Sequence, residues 1–475
     1  MRSEKLQNAI GAVDETLVLR ADEQPKKQRH RAFRWTASVA AMLVAAIAVG
    51  ILFGRGGPIN MNVYAIREAS YPEMASYPGG EYLPGFDGRY DAWRDDRMAI
   101  RPYYGRSAEL ATFVQRTVSE FLSDAEGENL VYSPLNVYMA LAMLSELTEG
   151  ESREQILSLI GVSDIETLRE QAYAVWRANY CDDGAVTSVL ASSLWLNENV
   201  SYNEDTMRLL TENYFASSYR GEMGSRDFDR ALQTWLNEQT GGLLEDQIGD
   251  ITLTPETIMA LATTVYFRAK WADRFAEQDT EQAIFHGANG DVRTDFMHET
   301  NLWGTYYWGE RFSATRKSLE GSGDMWFILP DEGVDACELL SDDEALSFIT
   351  AGAKWQNHKG MRVNLSVPKF DVSSELKLGD KLQALGVTDC FRWGEADFSP
   401  MLTEAQDVVL SDVRHGARVA IDEEGVTAAA YTVMLMAGSA MPPEDEIDFI
   451  LDRPFLFVLT GEDGSVLFVG VVNRV

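Results

Sequence analysis

The chain is poor in the residues from which most catalytic centres are built. Its 475 residues include three cysteines, Cys181, Cys337 and Cys390; they lie far apart, form no Cys-x-x-Cys and cannot all pair within one chain, so the fold must hold by packing. Histidine is scarce too. His286, His298, His358 and His415, the four beyond the N-terminal region, form no HExxH or other close ligand spacing, which argues against a zinc enzyme and gives no reason to expect a metal or a cofactor. A GxSxG nucleophile elbow is absent, as are glycine-rich phosphate cradles. Positive charge is short as well: 41 Lys and Arg against 74 Asp and Glu leave a formal net charge of −33. Such a surface repels nucleic acid and anionic lipid and leaves proteins or small molecules as partners.

What is present suits a packed globular chain, 45% hydrophobic and 24% charged. Residues 35–54, "WTASVAAMLVAAIAVGILFG", are about 20 uncharged residues, the length of a membrane-crossing helix. Lys26, Lys27, Arg29, Arg31 and Arg34 precede that run and only Arg55 follows closely, so the positive-inside bias places residues 1–34 in the cytoplasm and the remainder outside. The expectation is therefore a single-pass cell-membrane protein. Residues 55–106, rich in Tyr, Pro and Gly ("SYPEMASYPGGEYLPGFDGRY"), have no helical or alternating period and read as an extended extracellular linker.

The period changes at Ser107, and residues 107–475 form the expected domain. Leu110, Phe113, Val114, Val118, Phe121 and Leu122 share one helical stripe, and "PLNVYMALAMLSEL" follows as a helix opened by Pro134. Later segments have strand length and pattern: "SVLASSLWL", "MALATTVYF", "MWFILP", "MRVNLSVPKF", and "FLFVLT" with "SVLFVGVV" joined as a hairpin by "GEDG". Helices first and strands in the second half predict an α+β domain. One SxxK, Ser374 to Lys377, allows an extracellular hydrolase as an alternative, but no SDN or KTG accompanies it and it reads as a solvated helix start.

Between two acidic clusters lies "EEGVTAAAYTVMLMAGSAMPPEDE", uncharged over residues 425–443. Gly425, Thr427, Tyr431, Thr432 and Val433 are weak helix formers, and a permanently buried strand of this length is unusual, so the run reads as a mobile loop. In a strand, Val426, Ala428, Ala430, Thr432, Met434 and Met436 would share one face, and none of them is charged.

At this point a resemblance becomes specific. "NLVYSPLNVYMALAMLSELTEGESREQI", "TWLNEQTGGLLEDQI", "VYFRAKWADRF", "VPKFDV", "LGVTDCF", "ADFSPM", "LSDVRHGARVAIDEEG" and "DRPFLFVL" occur in the order found in serpins, the serine protease inhibitors that act by inserting a loop. The chain resembles a bacterial, membrane-anchored member. The resemblance implies N-terminal helices around a large mixed central sheet with an exposed reactive loop. It implies a suicide-substrate inhibitor rather than an enzyme, with a non-inhibitory, serpin-like binding protein as the alternative. Carried over by position, the hinge is Glu423, Glu424, Gly425, Val426, Thr427, Ala428, Ala429 and Ala430. The reactive bond joins Ser439 to Ala440, and Trp271 and His415 lie where the sheet opens. The small residues around the bond imply an elastase-like or subtilisin-like target protease. The chain departs from the family pattern at Thr263 and Thr264, where Asn-Ala is usual, at Ala269, where Gly is common, and at the bulky Tyr431.

Overall fold

The computed structural model describes residues 59–79, 85–242, 249, 251–426 and 443–475. Of the unit comprising Met1–Ile59, only Ile59 is described; the other unit, Asn60–Val475, carries the fold. It begins with β1 (Ala65–Arg67) and α1 (Phe86–Ile100). α2 (Ala111–Leu122) buries the stripe read from its period, with Phe113, Val114, Val118, Phe121 and Leu122 all inside. After β2 (Leu130–Tyr132), Ser133 caps α3 (Pro134–Leu147) by accepting a hydrogen bond from Asn136 N, and Pro134 opens the helix where no donor is required. All fourteen residues of α3 are buried, as befits a helix with no continuous polar face.

α4 (Gly150–Ile160), α5 (Ile165–Asn179), β3 (Cys181–Asp182), β4 (Thr187–Asn197), α6 (Glu204–Tyr214), β5 (Ala216–Gly221), α7 (Arg226–Gln239) and β6 (Met259–Lys270) follow. The chain continues through β7 (Glu281–Gly287), β8 (Gly290–Trp308), β9 (Phe312–Ser318), β10 (Asp324–Pro330), α8 (Ala336–Leu339), α9 (Asp343–Ala351), β11 (His358–Pro368) and β12 (Phe370–Lys377). It ends with α10 (Gly379–Ala384), β13 (Asp412–Ile421), β14 (Gly425–Val426), β15 (Glu446–Ile450), β16 (Phe455–Thr460) and β17 (Val466–Val472). The central sheet runs β1-β5-β4-β6-β14-β13-β12, with β3 added to β4. A second sheet runs β15-β11-β8-β9-β10-β16-β17-β2, with β7 on β8. Both are mixed: β4 and β5 are parallel, as are β6 and β13 and β11 and β15. The predicted α+β class and the predicted strands are present, including the hairpin at residues 461–464, where Gly464 takes the positive φ that the turn needs.

Three expectations change. A single-pass membrane protein is not supported: among the described residues no helix is long and apolar enough to cross a membrane. The longest of them have 15 residues, about 22 Å against a hydrocarbon core of about 30 Å. Residues 35–54, where the span was expected, lie outside the described residues. Second, the Tyr/Pro/Gly-rich stretch is no bare spacer where it is described, since β1 joins the edge of the central sheet and α1 is a four-turn helix. It docks through a three-residue strand and scattered backbone and side-chain groups that meet distant partners, which no period announces. Third, Ser374 and Lys377 sit on strand β12 and not at a helix start. Ser374 is buried, accepting a hydrogen bond from Val131 N at 2.8 Å, whereas Lys377, three residues on, is exposed. An odd spacing on a strand puts the two on opposite faces, so they form no nucleophile and base pair.

Candidate functional site

The site lies where the chain leaves β13 and turns back into the central sheet. Asp422 makes the turn: its Oδ1 accepts from Glu424 N at 2.9 Å and Gly425 N at 3.1 Å, the local bonding by which Asp favours a turn. β14 then enters between two strands that are parallel to each other. It pairs antiparallel with both, Val426 opposite Ala269 of β6 and opposite Ile421 of β13, and Gly425 opposite Lys270. Glycine is required here by close approach, because a Cβ on Gly425 would sit 2.3 Å from the Ala269 carbonyl oxygen. Val426 is 1% exposed.

Below this seat the sheet has a slot. β6 and β13 pair directly from Ala260 and Asp412 to Thr264 and Gly416. Between that zone and β14, residues 265–268 of β6 and 417–420 of β13 are not paired to each other. Trp271 and His415 bracket the slot. The Trp271 indole donates to Asp422 O at 2.8 Å, and its backbone N–H donates to Glu424 O at 3.1 Å. Phe275 N holds Glu423 O at 3.1 Å, and the Phe275 ring stands edge-on to Trp271. The Lys317 amine lies 4.3 Å from the Phe275 ring centroid and pairs with Glu299.

The two hinge carboxylates are held apart from the slot. Glu423 pairs with Lys369 at 2.7 Å and accepts from the Thr280 hydroxyl at 2.8 Å; Glu424 pairs with Arg274 at 3.0 Å. Burial alone would raise the Glu423 carboxyl, but the hydrogen bonds from Lys369 and Thr280 hold it below the usual range. The chain thus enters the sheet only after its last negative charge has been neutralised outside.

At the other end, His415 is fully buried beneath the sheet, edge-on to Tyr132. Its Nε2 accepts from Ser133 N at 3.0 Å, so the proton belongs on Nδ1, which has no partner. The Thr264 hydroxyl and both side-chain amide atoms of Asn136 are likewise buried and unpaired. The Thr263-Thr264 departure therefore puts no bond at Nδ1, and β6 and β13 meet over a polar group left unsatisfied.

Burial pushes the His415 pKa from 6.5 down to about 3. Above pH 6.5 the ring is neutral in both folded and unfolded chains and contributes no pH dependence. Below it the unfolded chain takes a proton that the folded chain refuses, so stability falls as pH falls. Between pH 7 and pH 5 the loss should approach about 2 kcal/mol, and His415→Gln should flatten the slope of unfolding free energy against pH in that window. An unchanged slope in equilibrium denaturation would show that His415 does not titrate in this way.

Of the predicted site residues, the structure brings together Glu423, Glu424, Gly425, Val426 and Trp271 at the upper end of the slot, with His415 at the lower. Thr427, Ala428, Ala429, Ala430, Tyr431, Ser439 and Ala440 lie outside the described residues. Asp422, Lys369 and Phe275 were missed. The Asp-x-x-Gly turn chemistry could have pointed to Asp422, but Lys369 and Phe275 act through contacts across more than 50 and 140 positions respectively, which no local pattern carries.

The sequence model of the family described as Serpin (serine protease inhibitor) matches residues 108–475. An uncharacterised serpin-like protein of Thermococcus kodakarensis is 28% identical over 72% of this chain and 80% of its own length. Serpin-ZX of Arabidopsis thaliana is 27% identical over 80% and 98%, and the plasma serine protease inhibitor of Mus musculus 28% over 76% and 89%. These sources lend no support to the expected bacterial one. Among solved structures, the thermophilic serpin tengpin in its native state superposes with a TM-score of 0.70 at 22% identity, over 88% of this chain and 99% of that one. Arabidopsis AtSerpin1 in its native stressed conformation superposes with a TM-score of 0.67 at 24% identity, over 78% and 98%.

Proposed function

The chain belongs to the serpin family, and from that premise we propose that it is a suicide-substrate inhibitor of serine proteases, with residues 107–475 as the inhibitory unit. One observation carries the reading: the unpaired stretch of β6 and β13 starts in the register set by Val426 and is four residues long, the number left in the hinge from Thr427 to Ala430. Extending the antiparallel register from Val426 sets Thr427 to Ala430 opposite residues 268–265 of β6 and 420–417 of β13, the stretch where those strands do not pair. Thr427, Ala428, Ala429 and Ala430 are small and uncharged, and can be buried without desolvating an ion.

The mechanism follows from covalent proteolysis. A serine protease attacks the Ser439 carbonyl, the bond to Ala440 breaks, and the part of the loop beginning at Ala440 leaves with a new amine while Ser439 stays esterified to the protease. The tethered segment then continues the strand already begun by Gly425 and Val426. The first four positions fill the slot, and each step beyond it must separate β6 from β13, replacing their mutual hydrogen bonds with two new ladders and releasing the free energy stored in the uninserted state. Insertion that outruns deacylation carries the protease away with its active site distorted; slower insertion leaves a cleaved substrate.

Ala437, Gly438, Ser439 and Ala440 offer a shallow specificity pocket what it needs and offer no cation to an acidic one. Elastase-like or subtilisin-like proteases are therefore the proposed targets. Incubation with such enzymes should give a complex that survives denaturing electrophoresis, and mass spectrometry of the released fragment should begin it at Ala440 or one or two residues later. Trapping of a trypsin-like protease through cleavage after a basic residue would overturn both register and target class.

A further inference from the structure

The segment preceding the serpin-matched region is fastened to two parts of the molecule that loop insertion must move relative to each other. On the β4-β5-β6 side of the slot, β1 pairs with β5 (Ala65 with Tyr219, Arg67 with Ser218), and Ala69 N donates to Ser217 Oγ at 3.0 Å. The Tyr71 hydroxyl donates to Gln239 at the end of α7 at 3.2 Å, with its ring stacked on Trp176. Tyr77 N bonds Asp183 O at 2.7 Å and Trp93 Nε1 bonds Asp183 Oδ2 at 2.8 Å, at the turn leading into β4.

The same segment also grips turns of the second sheet. The Tyr77 hydroxyl donates to Glu320 at 3.0 Å, between β9 and β10. Arg97, its side chain 12% exposed, donates to Cys181 Sγ of β3 at 3.0 Å on one side, and to Gly321 O and the Glu462 carboxylate on the other. Tyr104 adds a bond to Glu462 at 2.9 Å. These grips lie beside the hinge: Glu320 N donates to Lys270 O at 2.8 Å, and Lys270 is the residue opposite Gly425.

We propose that residues 65–79 and 85–104 form a strap that brakes opening of the central sheet and so sets the rate at which the loop, or any equivalent strand, enters the slot. Opening shifts the β4-β5-β6 half against the second sheet. The strap is bonded to both, so the shift must break bonds that include a largely buried, charge-assisted one at Arg97. Weakening the strap lowers that barrier without touching the slot or the loop.

The proposal rests on the insertion reading, and the test separates the two. A labelled synthetic peptide with the sequence of residues 427–436 is incubated with the full chain, and its uptake rate is measured for the parent, Arg97→Gln and Trp93→Phe. Arg97→Gln should take up peptide about tenfold faster, the equivalent of about 1.4 kcal/mol at the barrier. Trp93→Phe removes a single hydrogen bond with little change of shape; it should quicken uptake about threefold and carries the test if the first variant does not fold. Uptake by all three proteins at rates within twofold, or slower uptake by the variants, overturns the strap and leaves insertion standing. No uptake by any of them overturns insertion itself, and the strap with it.

Discussion

Val426→Arg should be cleaved by the target protease as an ordinary substrate and should trap none of it. Val426 is 1% exposed and is held between Ala269 and Ile421, the first side chain of the loop to enter the core side of the sheet. A guanidinium there must lose its water without a built partner, at an effective cost of several kcal/mol. The alternative is to expel β14 and with it the start of the strand on which insertion continues. A loss of about 3 kcal/mol at the barrier slows insertion more than a hundredfold, and deacylation then wins. Val426→Thr keeps the branched shape and no charge, and should still trap. On denaturing gels the parent and Val426→Thr should give a protease complex, and Val426→Arg only cleaved chain. Equal trapping by Val426→Arg would show that this position does not enter the sheet.

Trp271→Ala should cost about 3–5 kcal/mol of stability, the range for truncating a large buried aromatic. The ring is 1% exposed, stands edge-on to Phe275 and has the Lys317 amine 5.6 Å from its centroid. Its indole is also the donor that holds Asp422 O and so the turn that aims β14. Trp271→Phe fills most of the space but cannot make that bond, leaving a carbonyl unpaired, and should lose about 1–2 kcal/mol. The pair therefore separates packing from the hinge bond. Urea unfolding should show both losses as lower midpoints with unchanged m-values. A loss below about 1 kcal/mol for Trp271→Ala would remove it as the post on which the hinge is hung.

Much of the fold follows from local pattern. The stripe from Phe113 to Leu122 is helical because its period matches 3.6 residues, the apolar run opened by Pro134 is a helix buried on every face, and residues 259–267 and 466–472 belong to strands because branched and aromatic residues run over strand length. The sequence also determines that residues 425–443 carry no charge, the condition that the proposed insertion sets. What a local pattern cannot contain is a distance between remote residues. That Gly425 must be glycine is decided by the Ala269 carbonyl more than 150 positions away, and that Glu423 is tolerated at the entrance is decided by Lys369. The four-residue slot exists only as the difference between two strand pairings, so it has no signature in either strand. The tyrosine-rich stretch reads as a spacer for the same reason. Tyr77 and Arg97 gain their partners from Glu320 and Glu462, and side chains that dock singly on a surface built by the rest of the chain leave no period to read.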